Sequence, residues 1–313
     1  MKPIETRVAE VRHLCEQALT EPEIQVVEDL LLRNKLSGIA LVDETLALGR
    51  APDALLTLAR ETESLGIAVV RPLERLLLIR AGMALLDHIQ ELPVEDSVRH
   101  LVCKEIGLAV VRPGEGSPRL ELTTYRFVAL CKIARGVRFP AGQHQWEISG
   151  FPRSWLARLP PRSIPRAMAF FLIQARGFHP YFETHLAPLA QGVPVLLERE
   201  FYMAFYRMAM SLERQSEVKA IMATSWMHSP ETHRVSPHLA FMNRPFEEAG
   251  GLILETGPAR VDDGFLDGNQ HRANLYRAGL YLPTRAVALC SRRDAMAWAA
   301  AHPEYGKLAA RVS

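Results

Sequence analysis

The sequence RPGEGSPR, residues 112–119, divides the chain into two parts of different character. It holds two glycines and two prolines in eight residues, which is typical of a loop or a domain boundary. Before it, apolar residues recur at spacings of three and four, and after it short β-rich runs alternate with helical ones. We therefore expect a helical N-terminal region, residues 1–111, and a mixed domain, residues 120–313, that carries the functional site.

The first part predicts five amphipathic helices. They begin at or near Thr6, Pro22, Asp53, Pro72 and Pro93. Leucine, valine and isoleucine recur on one face of each, and proline suits the first turn of a helix because it lacks a backbone N–H. Short connections between such helices favour a helical layer or a small bundle.

The second part predicts an alternation of strands and helices. Strands are expected over 144–150, 180–186, 218–226, 252–255 and 284–289, with a further extended segment over 169–176. Helices are expected over 196–212, 237–249 (capped by Ser236), 272–278 and 294–301. Residues 120–133 predict a strand, or a strand that leads into a short helix. The expected fold class is α/β or α+β, with the helical region packed on a mixed sheet.

Composition and targeting patterns restrict the classes of ligand and the cellular location that we expect. The 313 residues include 37 basic and 35 acidic ones, a net charge of +2 that is not typical of a protein that binds duplex nucleic acid. The cysteines, at positions 15, 103, 131 and 290, form no CxxC pair and are expected to be buried free thiols in a reducing compartment. No signal-peptide pattern and no apolar run long enough to span a bilayer is present. We therefore expect a cytoplasmic location and no membrane partner.

Several common catalytic motifs are missing from the sequence. It contains no phosphate-binding P-loop and no dinucleotide-binding glycine fingerprint. It also contains no GxSxG nucleophile motif and no HExxH zinc motif. These absences argue against nucleotide hydrolases, the common dehydrogenases, lipase-like hydrolases and most metalloproteases.

The segment HPYFETH, residues 179–185, is the first candidate site. On an extended strand alternate side chains share a face, so His179, Glu183 and His185 would lie together. Two histidines and a carboxylate can bind a non-haem iron or a catalytic zinc. The same set can supply a general base and the partner that orients it. A polar strand face exposed at a sheet edge is the remaining interpretation.

The segment SWMHSPETHRVSPH, residues 225–238, is the second candidate. It leaves an apolar strand, crosses a loop that contains His228 and Arg234, and enters a predicted helix at Ser236. Ligands of α/β proteins gather where strands end and helices begin, and a helix N-terminus favours an anion. The segment predicts that Arg234 and Ser236 bind an anionic group; a capped helix after a polar loop is the alternative.

A third segment, NQHRANLYRAGLYLPTRAVAL (residues 269–289), resembles the closing segment of GNAT-type acyltransferases. The matching residues are Asn269, Ala273, Leu275, Tyr276 and Gly279. The order of helices and strands before it is also similar to that fold, and the resemblance covers roughly residues 168–300. It implies an enzyme that transfers an acyl group to an amine or hydroxyl acceptor. Glu183, His185 or His228 would then serve as the general base.

The donor and two other functions stay open. That family binds the pyrophosphate of coenzyme A with a glycine-rich loop, whereas the corresponding loop here, MHSPETHRVSPH (residues 227–238), has no glycine. The expected donors are thus an acyl-CoA thioester, an acyl group on a carrier protein or an aminoacyl-tRNA. The alternatives are an iron- or zinc-dependent enzyme that uses His179, Glu183 and His185, and a non-catalytic binding or regulatory protein.

Overall fold

The structure is a computed structural model that describes residues 2–64, 70–111, 125–187, 196–267 and 269–312. A layer of helices precedes a mixed sheet that carries helices on both faces, which confirms the expected mixed α/β class. The predicted boundary at 112–119 and the end of the third predicted helix at Gly66 lie outside the described residues.

The five predicted N-terminal helices are confirmed. The first part contains α1 (Ile4–Leu19), α2 (Pro22–Arg33), α3 (Gly38–Leu48), α4 (Asp53–Ser64), α5 (Val70–Leu86) and α6 (Asp96–Val110). The sequence pattern does not predict α3, because the apolar run Ile39–Val42 forms no single stripe. Ser37 nevertheless caps α3, since its Oγ accepts a hydrogen bond from the Ala40 amide at 3.4 Å.

Residues Tyr125–Ala134 form a helix, α7, where the sequence predicts a strand or a strand that leads into a helix. Phe127, Cys131 and Ala134 recur at spacings of four and three and are buried against the N-terminal helices. This burial outweighs the β propensity of the tyrosine, phenylalanine and valine in the segment. The helical layer thus includes a helix from the predicted α/β domain.

The sheet has six strands in the described part of the chain. They are β1 (Arg138–Pro140), β2 (His144–Ser149), β3 (Tyr181–Leu186), β4 (Ala220–Ser225), β5 (Leu252–Pro258) and β6 (Thr284–Ser291). Their order is β1-β2-β3-β4-β6-β5. The neighbours β3 and β4 are parallel, and the other pairs are antiparallel.

Helices cover both faces of this sheet. The remaining ones are α8 (Ile164–Ala169), α9 (Glu198–Leu212), α10 (Pro230–Val235), α11 (Arg244–Glu248), α12 (Gln270–Arg277), α13 (Arg292–Ala301) and α14 (Pro303–Val312). Short 3-10 helices lie at Ile89–Glu91, Arg153–Arg158, Pro161–Ser163, Trp226–His228, Pro237–Met242 and Val261–Asp263. One face packs on α9 and α13, and the face that bears Tyr181 and Met222 packs on residues 151–175.

The prediction of an extended segment over 169–176 is wrong. After α8 the chain continues through a π-helical turn, Phe170–Gln174. The buried residues Ala167, Phe170, Phe171 and Ala175 recur at spacings of three, one and four, which is a helical stripe. The exposed Leu172 and Ile173 between them make the sequence look like a continuous apolar strand.

The single helix predicted over 237–249 is also wrong. The chain forms the 3-10 helix Pro237–Met242 and then the short α11. Asn243 lies between them, and its side chain bonds to His228. Ser236 does not cap a helix; its hydroxyl accepts a hydrogen bond from Arg272 Nη1 at 3.3 Å.

The four cysteines are buried free thiols, as predicted. Burial raises the pKa of Cys15 to about 11 and that of Cys103 and Cys131 to about 12. In the described ranges, none of the helices combines the length and the apolarity that crossing a bilayer requires.

Candidate functional site

A cleft opens where the parallel strands β3 and β4 part. Their pairing runs from Tyr181–Ala220 to Thr184–Ala223 and ends there. Beyond that point β3 stays paired with β2, and β4 stays paired with β6. The cleft has a volume of about 720 Å³ and is lined by His144, Thr184, His185, Leu186, Thr224, Ser225, Met227, His228, Met242 and Asp263.

His228 ends the 3-10 helix that follows β4, and Asn243 holds its side chain. The Asn243 Nδ2 donates to the His228 carbonyl at 3.2 Å, which turns Oδ1 toward the imidazole. The distance from His228 Nδ1 to Asn243 Oδ1 is 2.7 Å. Because Oδ1 can only accept, Nδ1 carries the proton. Nε2 is then a hydrogen-bond acceptor, and it has no partner among the residues that the structure describes.

The His228 imidazole is neutral at ordinary pH. Burial lowers its pKa from the usual 6.5 to about 4, against the opposing effect of the Asn243 hydrogen bond. A buried neutral histidine of fixed tautomer is competent to accept a proton from a bound ligand.

His144 is a second buried histidine of the cleft and is not among the residues predicted from the sequence. It belongs to β2, is 3% exposed and packs edge-on against Phe201, with 4.9 Å between ring centroids. Neither ring nitrogen has a hydrogen-bond partner in the described part of the chain. Burial, with a smaller effect of His228, lowers its pKa to about 3. Its only signal in the sequence is the alternation of HQWEIS, which places it on the same face as the buried Trp146.

His185 also lines the cleft, next to an ionised carboxylate. Its Nε2 lies 3.4 Å from Glu147 Oε1, and Lys132 Nζ and Arg138 Nη2 donate to Glu147 Oε2 at 2.8 and 2.9 Å. Burial opposes the ionisation of Glu147, but His185, Lys132 and Arg138 outweigh it and hold the pKa of this carboxyl well below its usual range.

The structure does not assemble the predicted metal ligands. Glu183 does not line the cleft, and its carboxylate accepts a hydrogen bond from Ser149 Oγ at 2.6 Å. His179 is exposed and precedes β3. Within the described ranges no group of three histidine, cysteine, aspartate or glutamate side chains could hold a metal ion.

The predicted anion-binding residues lie outside the cleft lining. Arg234 is in α10, its side chain is 62% exposed, and it pairs with Glu231 at 2.9 Å. It also donates to the Leu280 carbonyl at 3.0 Å. Ser236 is buried against Arg272.

Asp263 is the acidic group of the cleft, and its charge is already compensated. Arg285 Nε donates to its Oδ2 at 2.6 Å, and the Arg260 amide donates to the same atom at 2.8 Å. The hydrogen bond from Arg285 lowers the Asp263 pKa. No lysine or arginine occurs among the described residues that line the cleft. The arrangement is therefore suited to an uncharged group that forms hydrogen bonds.

Comparison with known proteins does not identify a family. No protein-family model matches the chain, and no curated protein matches it. One similar solved structure is an acyltransferase in complex with decanoyl-CoA, with 16% identity and a TM-score of 0.44 over 69% of this chain and 65% of that one. The chain thus spans less than two thirds of that protein.

Another similar structure is an acyltransferase in complex with decanoyl-CoA and teicoplanin. It has 13% identity and a TM-score of 0.46 over 74% of this chain and 68% of that one.

Proposed function

We propose that the protein transfers an acyl group from a thioester to an amine or hydroxyl acceptor in the cleft between β3 and β4. One observation carries the proposal: His228, neutral and oriented by Asn243, presents an accepting Nε2 at the point where two parallel strands part. The resemblance of residues 269–289 to GNAT-type acyltransferases supports the same reaction.

In the proposed reaction the acceptor attacks the thioester carbonyl carbon and His228 Nε2 takes the proton of the attacking group. A C–N or C–O bond forms, the C–S bond breaks, and the leaving thiolate receives the proton from His228. Asn243 keeps the ring in position and stabilises the transient imidazolium through its Oδ1. General-base catalysis of this kind contributes roughly 100- to 10,000-fold to a rate.

The facing edges of β3 and β4 suit an extended donor. Past Thr184 and Ala223 the two strands no longer pair with each other, so backbone groups of both edges can bond to an inserted chain. A pantetheine arm, which carries two amides and ends in the thioester, fits this description. We propose a CoA thioester as donor; carrier-bound acyl groups and aminoacyl-tRNA are the alternatives that share a reactive acyl end.

The other predicted site residues receive secondary roles. His185, beside Glu147, is the second candidate for the general base. Glu183 could act only if a substrate group took the place of Ser149 as its hydrogen-bond partner. Arg234, with Ser236 close in sequence, would release its ion-pair partner Glu231 and bind the anionic end of the donor instead. The buried free thiols fit our proposal of a cytoplasmic location.

The test is a transfer assay with a series of CoA thioesters of increasing chain length and a panel of amines and alcohols, with release of the free thiol as the readout. His228→Gln should lower kcat by roughly 100-fold or more, because the residue that accepts the proton is lost. His238→Gln is the matched control, since His238 is an exposed histidine of the 3-10 helix Pro237–Met242 and does not line the cleft. Full activity of His228→Gln would exclude His228 as the base. No transfer from any thioester would favour a binding protein.

A further inference from the structure

We propose that His144 is a ligand-binding residue that hydrogen-bonds an uncharged carbonyl group in the cleft. The inference deepens the proposed function and rests on it for one point, that the carbonyl is the thioester or an amide of the acyl donor. His144 itself has no part in the proposed reaction, so a role in binding would be an addition to the site.

The hydrogen-bonding capacity of the His144 ring is unmet in the described part of the chain. A neutral imidazole has one N–H donor and one acceptor nitrogen, and both nitrogens are buried without a partner in the described part of the chain. Buried polar groups of folded proteins almost always have a partner, because an unpaired one loses its hydration without compensation. Thr224 Oγ1, on β4, is also buried and unpaired. Unpaired polar groups from two strands, β2 and β4, therefore lie in one cleft.

The surroundings of His144 favour an uncharged ligand. His228 disfavours a proton on His144, and both side chains are buried. An anion would gain no charged donor here, since the described lining contains no lysine or arginine. A cation would find no free carboxylate, because Asp263 is paired with Arg285. A neutral carbonyl that accepts the imidazole N–H matches these surroundings.

Strand pairing and a ring contact hold His144 in place. His144 pairs with Leu186 across β2 and β3, so its backbone is held by the sheet. The Ala141 amide donates to the His144 carbonyl at 2.7 Å, and Phe201 contacts the ring edge-on. A side chain held in this way binds a ligand without first losing rotational freedom.

The experiment measures binding without turnover. The probe is S-octanoyl-N-acetylcysteamine, which carries the thioester and amide carbonyls but no phosphate. His144→Phe keeps a ring against Phe201 and removes both hydrogen bonds, and we expect it to raise the Kd of the probe about tenfold. His144→Gln keeps a donor and an acceptor and should stay within about threefold of the wild type. His100→Phe, which alters a buried histidine of α6, is the matched control and should leave Kd unchanged. Equal affinity of His144→Phe and the wild type would overturn the inference.

A second measurement does not depend on the variants' folding. In the wild-type protein labelled with 15N in its histidine rings, saturation with the probe should shift the His144 nitrogen signals while the ring stays neutral. Unchanged signals would overturn the inference. Inorganic pyrophosphate is the anionic probe, and a charged His144 ring in its presence would overturn the assignment of an uncharged ligand. Probe binding through His144 without transfer to any acceptor would leave this inference standing and remove the proposed function.

Discussion

At the scale of residues, two buried histidines share the cleft but differ in their hydrogen bonds. Asn243 fixes the tautomer of His228 and leaves Nε2 to accept, whereas the nitrogens of His144 have no partner in the described part of the chain. Burial keeps both rings neutral. One fixed acceptor and one unpaired donor are the two groups that proton removal and carbonyl binding require.

The lowered pKa of His228 predicts an unusual pH profile. A general base works in its unprotonated form, so kcat/KM should fall only as the pH approaches a pKa of about 4, instead of near 6.5. We expect nearly constant kcat/KM between about pH 5.5 and 7.5, when an acceptor is used whose own ionisation does not change in that range. An acid limb centred near 6.5 in the free enzyme would contradict the assignment of this base.

The same burial predicts a loss of stability in acid. His144 and His228 have pKa values near 3 and 4 in the folded chain and 6.5 in the unfolded chain, so below 6.5 the unfolded chain binds protons that the folded one does not. Stability is then present above pH 6.5 and is lost as the pH falls, by about 1.4 kcal/mol per pH unit for each histidine. Urea unfolding at several pH values measures the slope. In His144→Phe the slope attributable to His144 should disappear, and an unchanged slope would contradict the prediction.

At the scale of elements, two adjacent glycines before β5 have different reasons to be glycine. Gly250 has a φ of +72° and open space where a Cβ would lie, whereas a Cβ on Gly251 would meet the carbonyl oxygens of Leu289 and Phe246, the latter at 2.7 Å. Gly250 is therefore required by the backbone conformation, and Gly251 is required by close packing against β6.

These reasons predict unequal costs of substitution. Gly250→Ala should lower the free energy of unfolding by about 1 kcal/mol, the cost of a left-handed alanine. Gly251→Ala should lower it by about 3 kcal/mol, because neither backbone carbonyl can move without disturbing the sheet. Denaturant unfolding of the two variants side by side measures the difference, and equal losses would contradict the explanation.

At the scale of the whole molecule, one buried arginine connects the helical layer to the sheet. From α9, Arg207 donates to Ser97 Oγ at 3.2 Å, to the Ala141 carbonyl at 2.9 Å and to the Ala309 carbonyl at 3.3 Å. These partners belong to α6, to the turn between β1 and β2, and to α14. The connection helps to fix the start of β2, and therefore His144, relative to α9.

Arg207→Met should therefore destabilise the whole chain. Three acceptors in a buried region lose a charged donor, and the expected loss is about 3 kcal/mol. Arg214→Met, which removes an exposed ion pair with Asp96, should cost less than about 1 kcal/mol. Thermal unfolding followed by circular dichroism compares the two, and similar melting temperatures would contradict this role of Arg207.

The sequence by itself determined the elements whose pattern is local. The N-terminal amphipathic helices, the strands around residues 181–186 and 284–291, the mixed α/β class and the burial of the cysteines follow from periodicity and composition. The sequence also placed His185 and His228 among the candidates, because histidines in or near a predicted strand can be recognised from the order of residues alone. Its prediction of a Ser236 cap was wrong because that hydroxyl bonds to Arg272, 36 positions away.

Only the tertiary structure decided which polar groups share a cleft. His144, His185 and His228 come from three segments that the sheet order brings together, and Glu183 points to Ser149 instead. The same holds for α7 and for residues 169–176, where burial against distant elements chose a helix over a locally plausible strand. The physical reason is that burial and hydrogen bonding depend on neighbours in space, whereas periodicity records only neighbours along the chain.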